Sequence, residues 1–211
     1  CAIRGSFSGC TLRRMGTRPG RRHGRRRPAA RLNCFRSVRR NPDSGKPRML
    51  SLTLADPVAT ERLGASIAEA LRIQPGAWLV TLDGPLGAGK TTLARGFIRA
   101  LGHQGRVPSP TYTLIEPYEL AGRTVLHLDL YRLADAAELE FLGFRDVFEG
   151  ESLVLMEWPQ RAGGQLPAVD VKVRLDLDGT GRRANLAGGT ERGKMLVNTL
   201  LAGDPGPQPP I

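Results

Sequence analysis

The chain has 211 residues and a formal charge of +11, an excess that ordinarily points to nucleic acid or an acidic membrane surface. The charge is unevenly placed: residues 1–48 carry 15 of the 31 Lys and Arg against one acid, Asp43, whereas residues 49–211 carry 16 bases against 19 acids. A folded part at −3 argues against a fold that binds nucleic acid through its own charge, and the three cysteines (Cys1, Cys10, Cys34) all precede it, which excludes a disulfide framework or thiolate metal site there.

Residues 1–48, with runs such as GRRHGRRRPAARL, show no sustained apolar periodicity and are expected to be disordered. Three readings fit this extension. It is upstream sequence translated ahead of a start at Met49, an Arg-rich and acid-poor targeting segment, or an arm that grips RNA by counterion release. Its Gly and Pro suit an amphipathic targeting helix badly, and the first reading is preferred. No run reaches the roughly 18–20 apolar residues of a membrane span, so a soluble, cytoplasmic protein is expected, with one folded domain over 49–203 and a frayed end over 204–211.

From Met49 the elements follow in order. MLSLTL alternates as a short strand. Asp56-Pro57 offers an N-cap and a first-turn proline, and Leu63, Ile67 and Leu71 mark a helix of about four turns that Pro75-Gly76 breaks. AWLVTLD is a nearly continuous apolar strand of the kind covered on both faces. The loop GPLGAGKTT follows, then a helix, TTLARGFIRALG, closed by Gly102. VPSPTYTLIEPYEL reads as loop then strand, and RTVLHLDLY as a buried strand. ADAAELEFLG reads as a short helix with a capping box at Asp135 and Glu138 and a stop at Gly143. SLVLMEW is another buried strand. VDVKVRLDL and RRANLAG, joined by DGTG, form a hairpin, and TERGKMLVNTLLAG a last helix. Strands alternating with helices, then a hairpin, predict an α/β three-layer sandwich of the phosphate-loop type, its sheet parallel at the centre and antiparallel at the edges.

Gly84-x4-Gly89-Lys90-Thr91 matches the phosphate-loop pattern, with a strand before it and a helix after. Glycines let successive backbone N–H groups, over Gly84, Gly87, Ala88, Gly89, Lys90, Thr91 and Thr92, turn inward around phosphate oxygens, and the helix N-terminus adds partial positive charge. Lys90 is placed for the terminal phosphates and the Thr91 hydroxyl for Mg²⁺. A second carboxylate is needed near the metal, and two acids, Asp129 in VLHLDLYR and Glu157 in LVLMEW, each close a buried strand at the edge where ligands bind. One binds the ion directly; the other acts through water or orients the attacking water. In SPTYT, Thr111 is the candidate sensor of the terminal phosphate, set against plain turn chemistry at Ser109-Pro110. His127 reads as a satisfied strand histidine. Trp158, between an acid and a proline, reads as a contact surface.

GPLGAGKTTLARGF, SPTYTLIEPYEL, HLDLYRLADAAELEFLGFRD and LVLMEWPQR, in that order, resemble the bacterial TsaE (YjeE) family from about Met49 to Leu201. The resemblance implies a weak ATPase, ATP and Mg²⁺ as cofactors, and a part in making threonylcarbamoyladenosine in tRNA. It implies action on a TsaD–TsaB pair, with tRNA met only through that complex and no DNA partner. It also implies Thr91 and Glu157 as metal ligands, Asp129 at the phosphates or metal, Thr111 in a switch loop over 106–113, Trp158 paired with Glu157, and Arg182 or Arg183 near the base. The alternative is a small kinase acting on a nucleoside or other metabolite. A kinase needs an acceptor pocket and usually an arginine-bearing lid, and Arg123, Arg132, Arg145 and Arg161 are not clustered as one. A GTPase is disfavoured because no Asn-Lys-x-Asp motif occurs.

Overall fold

The computed structural model describes residues 49–120, 122–141, 148 and 150–202. The Arg-rich extension, Gly143 and the segment from 203 onward lie outside the described residues. Seven strands form one sheet: β1 Met49–Leu54, β2 Trp78–Asp83, β3 Ile115–Leu120, β4 Arg123–Asp129, β5 Leu153–Glu157, β6 Val171–Asp178 and β7 Gly181–Gly188. Their order is β1-β7-β6-β2-β5-β4-β3. The central run β6-β2-β5-β4 is parallel, and β1, β7 and β3 join it antiparallel. The sequence order alone predicts this mixture, because helical crossovers demand parallel neighbours and the DGTG turn demands an antiparallel pair.

Three helices, α1 Pro57–Arg72, α2 Lys90–Ala100 and α4 Glu191–Ala202, cover one face. Their apolar stripes (Leu63 and Ile67; Leu93 and Phe97; Leu196 and Val197) share a core with Leu82, Val125, Leu155 and Val173 of the sheet. The other face is thinner. Leu79, Leu128, Val154 and Met156 pack there against Leu130 and Leu133, Leu139 of α3 (Glu138–Phe141), and Ala162. Only the last four residues of the expected ADAAELEFLG helix that fall among the described residues are helical, after a first turn in which Glu138 Oε1 accepts the Asp135 N–H at 3.1 Å.

Two devices fix where α2 begins. Asp56 Oδ1 accepts the Ala59 N–H at 2.7 Å and Pro57 opens α1, so α1 starts at a set point beside the phosphate loop. Gly64 and Gly96 then let α1 and α2 touch backbone to backbone. A Cβ at Gly64 would collide with the Leu93 carbonyl oxygen, and one at Gly96 with that of Glu61.

Candidate active site

β2 delivers the chain to the glycine loop at the C-terminal edge of the parallel strands, the edge at which ligands of open α/β sheets bind. Gly84 (φ 143°), Gly87 (φ 76°) and Gly89 (φ 100°) all occupy conformations that side chains resist, and a Cβ on Gly84 would strike the Leu175 carbonyl oxygen. Gly89 is the N-cap of α2 and brings no side-chain acceptor. The first-turn N–H groups of a helix have no intrahelical partner, so this terminus has the chemistry of an anion cradle.

Strand register brings the two acids to that loop. In the parallel ladder of β4 and β5, Asp129 stands opposite Glu157. Side chains alternate along a strand, and Val125 and Leu155 belong to the core under α1 and α2, so Asp129 and Glu157 share the face that carries the phosphate loop. Both are buried, at 3% and 2% exposure. Glu157 Oε2 accepts the Thr91 hydroxyl at 3.2 Å, and Glu157 Oε1 lies 2.9 Å from His127 Nε2. Asp129 Oδ1 accepts the Tyr131 N–H at 3.0 Å. Its Oδ2 accepts from Thr111 Oγ1 at 2.9 Å and Ser109 Oγ at 2.5 Å, while the two hydroxyl oxygens stand 2.7 Å apart. Two hydroxyls thus share three close oxygen contacts with one carboxylate oxygen and with each other.

Lys90 is also buried. Its Nζ donates to the carbonyls of Gly84 at 2.8 Å and Pro85 at 2.9 Å and lies 3.9 Å from the centroid of the Trp158 ring. Burial pulls the Lys90 ammonium below the usual lysine range; the attraction of Glu157, Asp129 and Asp83 works in the opposite direction and recovers only part of the shift. Trp158 leaves β5 in the left-handed region at φ 59° and stacks at a tilt on Tyr131, ring centroids 5.0 Å apart. Leu114, whose carbonyl accepts the Asp129 N–H at 3.1 Å, is the other non-glycine residue at positive φ among the described residues, at 63°. Both strained residues flank the two acids, where such strain concentrates.

On the other side of the loop a small cleft of about 110 Å³ opens between the start of α1 and the β6–β7 turn, lined by Asp56, Pro57, Thr60, Gly87, Gly89, Thr92, Thr180, Gly181 and Arg182. Arg182 Nη2 donates to the Gly87 carbonyl at 3.0 Å. Arg183 instead pairs with Asp178 at 2.7 Å.

The structure therefore brings together Lys90, Thr91, Asp129, Glu157, Thr111 and Trp158 on one side of the loop and Thr92 and Arg182 on the other. Arg183 stays apart from them. Two partners were not legible as such. His127, read as a satisfied strand histidine, meets Glu157; it lies two residues before Asp129, and period-two alternation was the available signal. Ser109, read as turn chemistry, meets Asp129.

The donor set suits magnesium. Among the described residues no three His, Cys, Asp or Glu side chains converge as a self-sufficient metal site. Magnesium that arrives with phosphates needs only one or two protein oxygens, and the paired Thr91 hydroxyl and Glu157 carboxylate supply hard oxygens at the cradle's rim.

A parallel strand, a glycine loop capping a helix, and acids closing two further strands define the fold of a phosphate-loop NTPase. Comparison with known proteins narrows the class. The profile of the family described as "Threonylcarbamoyl adenosine biosynthesis protein TsaE" matches residues 54–184. The tRNA threonylcarbamoyladenosine biosynthesis protein TsaE of Haemophilus influenzae is 46% identical over 156 residues, covering 72% of this chain and 99% of that one. The protein of the same name from Synechocystis is 40% identical over 119 residues, 54% of this chain and 73% of its own. The crystal structure of Bacillus subtilis YdiB superposes with a TM-score of 0.64 at 26% identity, covering 76% of this chain and 99% of that one. The chain belongs to the TsaE family.

Proposed function

We propose that this protein binds ATP with magnesium and hydrolyses it slowly, as a cytoplasmic accessory in threonylcarbamoyladenosine modification of tRNA. It acts on a TsaD–TsaB type complex and meets tRNA only through it. The observation that carries the reading is the convergence of Asp129 and Glu157, from neighbouring strands, on the face that holds Lys90 and Thr91. In the relatives the same family name denotes threonylcarbamoyladenosine biosynthesis, which favours this role over a metabolite kinase.

The roles follow from the chemistry of each group. Backbone N–H groups from Gly87 to Thr92 bind phosphate oxygens. Lys90, held by two carbonyls and the Trp158 ring, supplies a positive charge directed at the terminal phosphates. Thr91 and Glu157 hold magnesium, which when bound draws electron density from the phosphoryl group and so assists attack by water. Asp129 accepts hydrogen bonds from whatever lies over the strand ends, a water among them, and exchanges those contacts with Ser109 and Thr111. Through that exchange the 106–113 loop reports the nucleotide's state to the partner. Arg182 and the cleft beside it take the base. No helix among the described residues is long and apolar enough to cross a membrane. Residues 49–203 form the working unit, flanked by the 1–48 extension and the 204–211 tail.

The test combines the full chain, or residues 49–211, with a TsaD–TsaB pair from a related bacterium and measures ATP-dependent tRNA modification. Wild type supports it; Lys90→Ala, Asp129→Ala and Glu157→Ala abolish it while retaining the fold. Rapid phosphorylation of a nucleoside by the isolated protein would refute the reading.

A further inference from the structure

We propose that His127 is the positioning residue for Glu157: its Nε2–H holds the carboxylate so that Oε2 faces Thr91, and thereby sets the protein's grip on the magnesium that accompanies the nucleotide. The inference rests on the reading of Glu157 as a magnesium ligand.

The placement follows from strand geometry. His127 stands opposite Leu155 in the β4–β5 ladder, and Asp129 opposite Glu157. All four side chains share one face, so His127 is the diagonal neighbour of Glu157 across the ladder, within reach of a long side chain. It is fully buried, at 0% exposure, and its Nε2 meets Glu157 Oε1 at 2.9 Å. With Nε2 turned to the carboxylate, the other ring nitrogen is Nδ1. That Nδ1 is buried without a hydrogen-bond partner among the described residues.

Packing alone does not explain such a residue. The same face of the sheet is filled by Val125, Leu153 and Leu155, and a leucine at 127 would occupy the space with no orphaned nitrogen. What the histidine adds is the bond to Glu157. A glutamate carboxylate turns freely about its last torsion, and one contact, to the Thr91 hydroxyl at 3.2 Å, does not fix its plane. The second contact, on the other oxygen, does. Hydrogen-bonded support of this kind tunes metal affinity by about 10–100-fold where it has been removed from known sites.

The test follows ADP binding to the full-length protein by calorimetry while magnesium chloride is varied, for wild type, His127→Gln and His127→Asn. A Gln amide reaches the position of Nε2 and an Asn amide only that of Nδ1. The magnesium concentration needed to tighten ADP binding should rise by about tenfold or more in His127→Asn and stay within about threefold of wild type in His127→Gln. An unchanged requirement in His127→Asn, or an equal loss in both variants, overturns the proposal. Glu157→Gln, run alongside, separates the two claims. If it too retains the wild-type magnesium requirement, or if wild-type binding ignores magnesium, the assignment of Glu157 itself falls, and the role of His127 with it. Should a variant fail to fold, ¹⁵N spectra of the wild-type imidazole decide: a protonated, hydrogen-bonded Nε2 supports the proposal, and an Nδ1–H tautomer refutes it.

Discussion

The two edges of the parallel sheet handle buried charge in opposite ways. At the edge where strands begin, Asp170 accepts the Leu79 N–H, the Thr190 hydroxyl and two bonds from Arg192 at 2.7 Å each. The Arg192 guanidinium also lies over the Trp78 ring. Nearby, Arg123 donates to four backbone carbonyls, those of Leu71, Gln74, Gly76 and Glu151. Each charge there is met within the chain by groups of matching geometry. At the edge where strands end, Asp129 and Glu157 lean on hydroxyls, an imidazole and one backbone N–H, and Lys90 bonds to carbonyls rather than to either acid. Saturated charges hold the fold together. Charges left partly unmatched in one place are available to a ligand, and it is this contrast, more than burial, that marks the site.

The contrast can be broken most directly by exchanging an acid at each edge. Glu157→Gln keeps shape and removes charge, so ATP hydrolysis should fall by about 10²–10³-fold, the usual cost of losing one charge-stabilising group at a reacting centre. Its melting temperature should stay at or above that of wild type. Asp170→Ala should do the reverse. Removing it strands the Leu79 N–H, the Thr190 hydroxyl and Arg192, a loss of about 3 kcal/mol, or roughly 6–12 °C in melting temperature, with ADP affinity of the folded protein unchanged. If Glu157→Gln melted as early as Asp170→Ala, the strand-end acid would be structural and the contrast would fail. A smaller effect is expected from Arg182→Ala, which loses a charged contact at the cleft proposed to take the base and should weaken ADP binding by about fivefold, on the order of 1 kcal/mol. Arg183→Ala, whose partner is the half-buried Asp178, should bind ADP as wild type does, which calorimetry on the pair would show.

These two edges also differ in how far the sequence reveals them. The strand-end site was largely legible because its parts are local: a loop of fixed spacing, and two acids that each close an apolar run. Element order and the DGTG turn gave the mixed sheet for the same reason. The strand-start clamp was not legible, since Asp170, Thr190 and Arg192 meet only once α4 folds back along β7, and nothing in their spacing announces it. Gly64 and Gly96 look like weak spots in two helices; their purpose is the close backbone contact between α1 and α2, a tertiary fact. His127 lay between. Its face was readable from Asp129 by alternation, but its partner depended on the register of β4 against β5, which periodicity does not supply.

The smallest expected effect concerns Lys90 and sharpens the contrast from the side of the base. Burial lowers its folded-state pKa below the ordinary 10.5. Between that lowered value and 10.5 the folded protein binds fewer protons than the unfolded chain, so raising the pH through this window favours the folded state. Below the window both states are protonated, and the folded protein bears the full cost of a buried ammonium with incomplete compensation. Lys90→Met removes that cost while keeping much of the stem's apolar bulk. The variant should therefore be more stable than wild type at neutral pH, by an amount that shrinks as pH rises toward 10.5, in urea titrations of both proteins over that range. Arg192 supplies the control, because its charge is matched by Asp170: Arg192→Met should destabilise at neutral pH and show no such recovery. A stability difference between Lys90→Met and wild type that held constant across the window would mean the ammonium is as well satisfied as the guanidinium, and the two edges would no longer differ in kind.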